Sequence, residues 1–517
     1  MLLSTIEILS RFFFETNHLI YYLNGSEEDN YYWLSTDKIS RVIHKLTRAD
    51  KNLIKAKKRI REVRKNSDAI YKIAVIGASS AIGYPYHSKL AFSNLLRILL
   101  SHFFPGKKII VYNLAVFAQT YNFGLKAAKD SMLLAPDLII VYAGHNERYP
   151  HNLIQVHQQI NRPNLIKFFD TISSFIEQYS VAYKWSLDQR DQLRDQKEII
   201  IPSDFNPNNH LDEMMLNYKN ITDDLVRTSK KNKVKLIFST LVKNIRDYPP
   251  HYYEGPIDEA FSPLLPGTYK SMNEQEKNEP ANIYRLARWY DQNENVLKAN
   301  YFYNKTSDIV YGIGRIHSLL QDYIRNIHSE SPYVKVVDSE KAVQKKFGNI
   351  NIGSNAIIDW VHPNIETNYY IALSLFYEIR PLMEIRFKKQ NLNTKSGAVP
   401  DLQTALSKTH PDSGKLQANG LVEGGFVNLN VSGPHTAKLL FLEGLKQGAE
   451  YDWRTKAWIG LAFIALHENN NAELLNAIAR LKSFTKESIK NNLFHYRSTD
   501  QIKTIRLLLK ISGIDYQ

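Results

Sequence analysis

Five short apolar runs, Lys72–Ile76, Ile109–Tyr112, Leu138–Tyr142, Val234–Phe238 and Val334–Val337, punctuate the first 340 residues, with helical stretches between them. Runs that are nearly continuously apolar, rather than alternating with polar residues, predict strands buried on both faces. Alternated with helices, they predict a doubly wound, parallel α/β sheet. Polar residues follow four of the five runs: Ser79-Ser80, Asn113-Leu-Ala115, Gly144-His-Asn146-Glu147 and Asn244-Ile-Arg-Asp247. In such a sheet ligands bind beyond the carboxyl ends of the strands, so one site at that edge accounts for all four together.

The 517-residue chain can bury a sizeable core, and 44% hydrophobic with 12% aromatic residues is a globular composition. There is no cysteine, which removes thiol nucleophiles, disulfides and thiolate metal sites. The net charge of +14 favours anionic surroundings. Its densest source, Arg48 to Lys65, reads as a solvated helix face in preference to a nucleic-acid or membrane patch, and no nucleic-acid partner is expected. Met1 to Leu23 is apolar but broken by Glu7, Arg11 and Glu15, so it reads as an amphipathic helix and not as a membrane span or signal peptide. A soluble intracellular protein is the expectation for the chain as given, the alternative being the outer-face part of a protein with an anchor upstream. Membrane association is left open.

The expected organisation is an amphipathic helical segment at 1–70, an α/β domain at 71–380, a linker at 381–434 and a small helical domain at 435–517. Within the α/β domain, 151–233 is a polar helical insertion. Residues 279–325 fit one tetratricopeptide repeat through Leu286, Ala287, Tyr290, Ala299, Tyr303 and Thr306, and a poorer match begins at Trp458. The linker reading rests on Gly420, Gly424, Gly425 and several prolines without clear periodicity.

The turn after the first run, Gly77-Ala-Ser79-Ser80-Ala-Ile-Gly83, has two readings. It is similar to the phosphate turn of short-chain dehydrogenases, but Ala81 and Ile76 stand where that motif has glycine and threonine. The one Tyr-x-x-x-Lys pair, Tyr301 and Lys305, lies inside the repeat-like helices. It also resembles the nucleophile block of the SGNH (GDSL-type) hydrolases. Acyl transfer needs a nucleophile, a base, a group that orients the base, and donors for the developing oxyanion. Asp359-Trp-Val-His362 offers orienter and base three residues apart, as on one helical face.

Gly77-Ala-Ser79, Asn113-Leu-Ala115, Gly144-His-Asn146-Glu147 and Asp359-x-x-His362 follow the four SGNH blocks in order. They look most like the bacterial subgroup that also carries tetratricopeptide repeats, where phrases similar to Tyr142–Glu147 and Val242–Pro250 recur. The resemblance covers about 71 to 380 and implies a five-stranded SGNH-type sheet. It implies a catalytic set of Ser79, Asp359 and His362, with oxyanion donors from the Ser79 and Ala115 N–H groups and the Asn146 amide. Ala78 and Ala115 depart from the family pattern; the second keeps its N–H and narrows the pocket.

The implied function is ester hydrolysis on an acylated small molecule, lipid or glycan, without a cofactor. O-acyl transfer to a cell-envelope polysaccharide is the alternative. A third reading is a non-catalytic adaptor that binds a protein partner through its helical repeats. Structural roles stand beside the catalytic ones: Ser79 as a helix cap, Asp359 as the cap of the helix after Pro363, Asn146 as a turn residue. His87, His145 and His151 lack metal-ligand spacing, so no metal site is expected.

Overall fold

The computed structural model describes residues 23–26, 30–34, 70–150, 152–154, 156, 207–250, 262–310, 314–327, 332–388, 397–431 and 434–493, with 503, 506, 507, 509, 510 and 513 beyond. They fall into two compact units. The first takes its residues from Met1–Ile82, Pro105–Leu241 and Pro250–Ser339; the second from Gly83–Phe104, Val242–Pro249 and Glu340–Gln517.

The first unit holds the whole sheet: β1 (Leu23–Ser26), β2 (Tyr31–Leu34), β3 (Ile70–Gly77), β4 (Lys108–Asn113), β5 (Leu138–Tyr142), β6 (Lys235–Ser239) and β7 (Val334–Val337), in the order β1-β2-β4-β3-β5-β6-β7. Six strands run parallel and β1 is antiparallel to β2. From Tyr71 to Gly77 every residue of β3 is buried, as is all of β5, which is why these runs carry no polar alternation. The chain leaves β3 to form β4 on one side and β5 on the other. The carboxyl end of β3 is therefore the switch point at which such sheets open a crevice.

The sheet has seven strands where five were expected, because β1 and β2 come from the segment read as an amphipathic helix. Tyr31-Tyr-Trp-Leu34 completes the open edge of β4, with the Tyr32 ring stacked on Tyr112 at 5.3 Å and the Tyr31 hydroxyl accepting from Asn113 Nδ2 at 3.2 Å. Strands of four residues are too short to show a period, and it is the partner edge that makes them strands. Residues 1–22 and the basic run Arg48 to Lys65 lie outside the described residues, as does most of the 151–233 insertion. The end of that insertion is the Leu211–Asn232 helix, whose buried Tyr218 stacks on Tyr121 and donates to the Ala143 carbonyl at 2.8 Å.

In the repeat-like region, the helices Pro280–Gln292 and Val296–Ile309 pair through Tyr284 on Tyr303 and Tyr290 on Phe302. The second helix ends on a buried arginine. Arg148 Nη1 donates to the Ser307 carbonyl at 2.8 Å and Nη2 to that of Asp308 at 2.5 Å, where the helix dipole favours a cation. Burial lowers the Arg148 pKa to about 10.

In the second unit the Phe92–Phe103 helix packs on the Ile365–Lys388 helix, Phe103 against Phe376, with Asn368 Oδ1 accepting from the Phe92 N–H at 3.0 Å. The expected linker gives way to structure. The Ile365–Lys388 helix runs into it, and Leu402–Ser407 and Ser413–Val431 are helices inside it. The helix Ser413–Val431 shares an apolar core with Pro434–Lys446, Tyr451–His467 and Asn471–Leu481, built on Val422, Phe441, Leu461 and Ile464. Its glycines were misread because they serve close packing: a Cβ on Gly425 would stand 2.7 Å from Phe441 Cδ1. The C-terminal helices thus belong to one unit with 340–388, and the expected boundaries at 380 and 434 do not separate them. Among the described residues no helix is long and apolar enough to cross a membrane.

Candidate active site

Ser79, Ala115 and Asn146 lie just past the carboxyl ends of the adjacent strands β3, β4 and β5. Parallel register aligns these ends, pairing Val75 with Asn113 and Gly77 with Tyr142. Beyond β3 the chain makes a single helical turn, Ser79–Ile82, closed on the Ala78 carbonyl by the N–H groups of Ala81 and Ile82. The turn fits against β5 only without a side chain at its start, since a Cβ on Gly77 would stand 2.3 Å from the Tyr142 carbonyl oxygen. Of the two serines, Ser80 is buried and Ser79 is half-buried, so Ser79 is the one a ligand can reach.

The neighbouring strand ends are already bonded. Asn113 Nδ2 donates to the Ala81 carbonyl at 2.8 Å, tying the β4 exit to the serine turn, and Val116 N–H donates to the Gly77 carbonyl at 3.2 Å. The Ala115 N–H, expected as an oxyanion donor, donates to Asn113 Oδ1 at a long 3.2 Å. Asn146 Nδ2 donates to the Gln119 carbonyl at 2.9 Å, which uses one of its two N–H bonds. Next to it Glu147 is buried and accepts from the Tyr121 N–H at 2.8 Å. Burial pushes its carboxyl up to about 7 against the lowering effect of that bond. His145 Nδ1 accepts from the Ile316 N–H at 3.2 Å.

In the second unit Asp359 and His362 are together. His362 Nδ1 and Asp359 Oδ2 are 2.5 Å apart, and the two residues are 5% and 2% exposed. Asp359 Oδ1 accepts from the N–H groups of Val361 and His362, both at 2.9 Å. A carboxylate so placed takes its third bond from Nδ1–H, which leaves the lone pair on Nε2.

The pair does not lie on a helical face, as the spacing suggested, but in a tight loop. The Ile357↔Pro363 bridge and the Ile358 N–H bond to the His362 carbonyl at 2.9 Å close it. Nor does Asp359 cap the following helix; Asn364 does, accepting from the Thr367 N–H at 2.8 Å.

Three supports of this loop were not assigned a role from the sequence. Asn244 donates its side chain to the Asp359 carbonyl at 2.9 Å and its backbone N–H to that of Trp360 at 3.0 Å. Its signal was present, since the phrase Val242–Asp247 follows a strand directly. The Tyr84 ring meets the His362 imidazole edge-on at 4.9 Å, and its hydroxyl donates to Glu423 Oε1 at 2.8 Å. Burial and then the Glu423 charge push the Tyr84 phenol far above its ordinary pKa, so it stays a donor. Glu423, 61 positions beyond His362, carried no local signal. Among the described residues no cluster of three or more His, Asp or Glu could hold a metal.

No family model and no curated protein matches the chain. Solved structures similar to it include a catalytic mutant of an acetylxylan esterase from Geobacillus stearothermophilus, 15% identical over 60% of this chain and 94% of that one, TM-score 0.27. A GDSL-like lipase from Bacteroides thetaiotaomicron is 11% identical over 64% and 97%, TM-score 0.27. A lipase/acylhydrolase from Enterococcus faecalis is 12% identical over 63% and 100%, TM-score 0.27. These neighbours are esterases, lipases or acylhydrolases by name. The functional reading rests on the residues of the chain itself.

Proposed function

We propose that the chain is a serine-dependent ester hydrolase, and the observation that carries this reading is the buried Asp359–His362 pair. A histidine whose Nδ1–H is held by a carboxylate presents Nε2 as a base. Ser79, half-buried at the switch point, is the nucleophile. Its oxygen bonds to the acyl carbon as His362 Nε2 takes its proton, and the imidazolium returns that proton to the departing alkoxide. Water then attacks the acyl-serine by the same relay and releases the acid. The Ser79 N–H, the second Asn146 amide N–H and the Ala115 N–H stabilise the oxyanion. The long bond from Ala115 to Asn113 Oδ1 is the one the oxyanion displaces.

An acylated glycan or lipid is the substrate class that suits a chain rich in aromatics and of net charge +14. The test is acyl-ester turnover, with a fluorophosphonate probe reporting the activated serine. Ser79→Ala is expected to lose both turnover and labelling, and His362→Ala nearly all of each. Turnover that survives both changes refutes the reading and returns the helical regions to the adaptor role. Supplying a glycan acceptor and weighing the products separates hydrolysis from acyl transfer.

A further inference from the structure

The Ser413–Val431 helix reaches the ring beside the dyad through Glu423. His362 Nδ1 meets Asp359 Oδ2 at 2.5 Å, and the plane of the imidazole is set by what packs against the ring. Two rings flank it: Tyr84 at 4.9 Å and 73°, and Trp360 at 6.0 Å and 63°. The Tyr84 ring is itself tethered, since its hydroxyl is held by Glu423 Oε1 and the other oxygen, Oε2, meets Lys456 Nζ at 2.5 Å. Lys456 is buried, with its ammonium over the rings of Phe426 at 4.3 Å and Trp453 at 5.1 Å.

A buried ion pair is a poor stabiliser, because desolvation offsets its Coulomb energy. The helices that carry this one already share an apolar core, so cohesion does not explain it. The Ser413–Val431 helix also grips the other side of the dyad loop. Asn428 Nδ2 donates to the Ile358 carbonyl at 3.0 Å, one residue before Asp359.

We propose that Tyr84 is a positioning residue for His362 and that the Lys456–Glu423 pair holds it in that role, which makes the C-terminal helices part of the hydrolytic apparatus. This rests on His362 being the base of the proposed hydrolase. Glu423 acts on the imidazole only through the Tyr84 ring, and Lys456 only through Glu423.

The test uses the full chain, with p-nitrophenyl acetate for kcat and KM and a fluorophosphonate for the labelling rate of Ser79. Tyr84→Phe keeps the ring and loses the tether; kcat is expected to fall about tenfold with KM held within about twofold, the signature of a misaimed group and not of lost binding. Glu423→Gln leaves Lys456 without its ion pair and is expected to do the same, and the double variant is expected to be no worse than the poorer single one, because both act through one ring. Lys456→Met follows them, and Lys456→Arg restores the rate.

Wild-type kcat in Tyr84→Phe overturns the inference, as do losses that multiply in the double variant. Tyr84→Phe removes a single oxygen, so if the Glu423 or Lys456 variants fail to fold, its kcat decides alone. A wild-type chain that is not labelled at Ser79 refutes the hydrolase reading instead. Labelling of the wild type with an unchanged Tyr84→Phe refutes only this inference.

Discussion

Asp359 and Glu147 are both buried carboxyl groups, 2% and 5% exposed, and their surroundings differ in one respect. Asp359 faces three donors, two from its own loop and one from the imidazole. Glu147 faces the Tyr121 N–H, at the start of the Tyr121–Ser131 helix. Donors replace the water that burial removes, so three of them hold the Asp359 side chain in place against the imidazole. At Glu147 burial outweighs the lowering effect of the Tyr121 N–H, and the carboxyl is pushed up to about 7. Loops that fold back on themselves supply donors cheaply; a strand exit under packed tyrosines does not.

The largest expected effect is at Asp359. Asp359→Asn keeps the shape but offers the wrong partner to Nδ1, and kcat is expected to fall on the order of ten-thousandfold with KM little changed. Glu147→Gln, measured on the same ester, is expected to retain activity. Equal losses in the two variants would erase the distinction between the carboxyl groups.

Asn146→Ala is expected next, with kcat reduced roughly a hundred- to a thousandfold through the loss of one oxyanion donor. A fall in KM alone, with kcat intact, would count against that assignment.

Glu147 gives a signed stability effect. Its folded pKa, about 7, stands above the ordinary 4.5, so its contribution is full below pH 4.5 and is lost as pH rises through 7. Gln keeps an acceptor for the Tyr121 N–H and never ionises. Urea unfolding is expected to find Glu147→Gln more stable than wild type at pH 8, by up to about 3 kcal/mol, with the difference vanishing towards pH 4.5. Parallel pH curves for the two proteins would mean that Glu147 finds other compensation.

The smallest effect is at the helix cap. Asn364→Ala removes the cap of Ile365–Lys388 and is expected to cost about 1 kcal/mol in thermal unfolding while kcat stays near wild type. A large loss of kcat there would show that the dyad loop is held by its helix and not by the Ile357↔Pro363 bridge.

Strands β3 and β5 were legible because burial on both faces forces nearly continuous apolar runs, and a run such as Leu138–Tyr142 has few other uses. Leu23-Asn-Gly-Ser26 has no such signature, and nothing in its composition separates it from a turn. In the candidate site, Asp359 and His362 were legible because they lie three residues apart and meet within one loop. Their geometry was not: the spacing suited a helical face, and the loop that holds them depends on Asn244, more than a hundred positions away.

What the sequence determined by itself is therefore local or repetitive. The buried strand runs, the tight turn behind β3 and the meeting of Asp359 with His362 are each set within a few residues, because burial on two faces, a close approach at Gly77 and a short loop leave few alternatives. Tertiary structure decided the rest. Gly424 and Gly425 read as linker residues until helices pack on them, a Cβ on Gly424 standing 2.7 Å from Ile358 Cγ2. Glu423 and Lys456 carry no local signal, and only folding pairs them beside Tyr84. Small size and charge have opposite meanings in solvent and in a packed interior, and only the long-range contacts determine which of the two a residue meets.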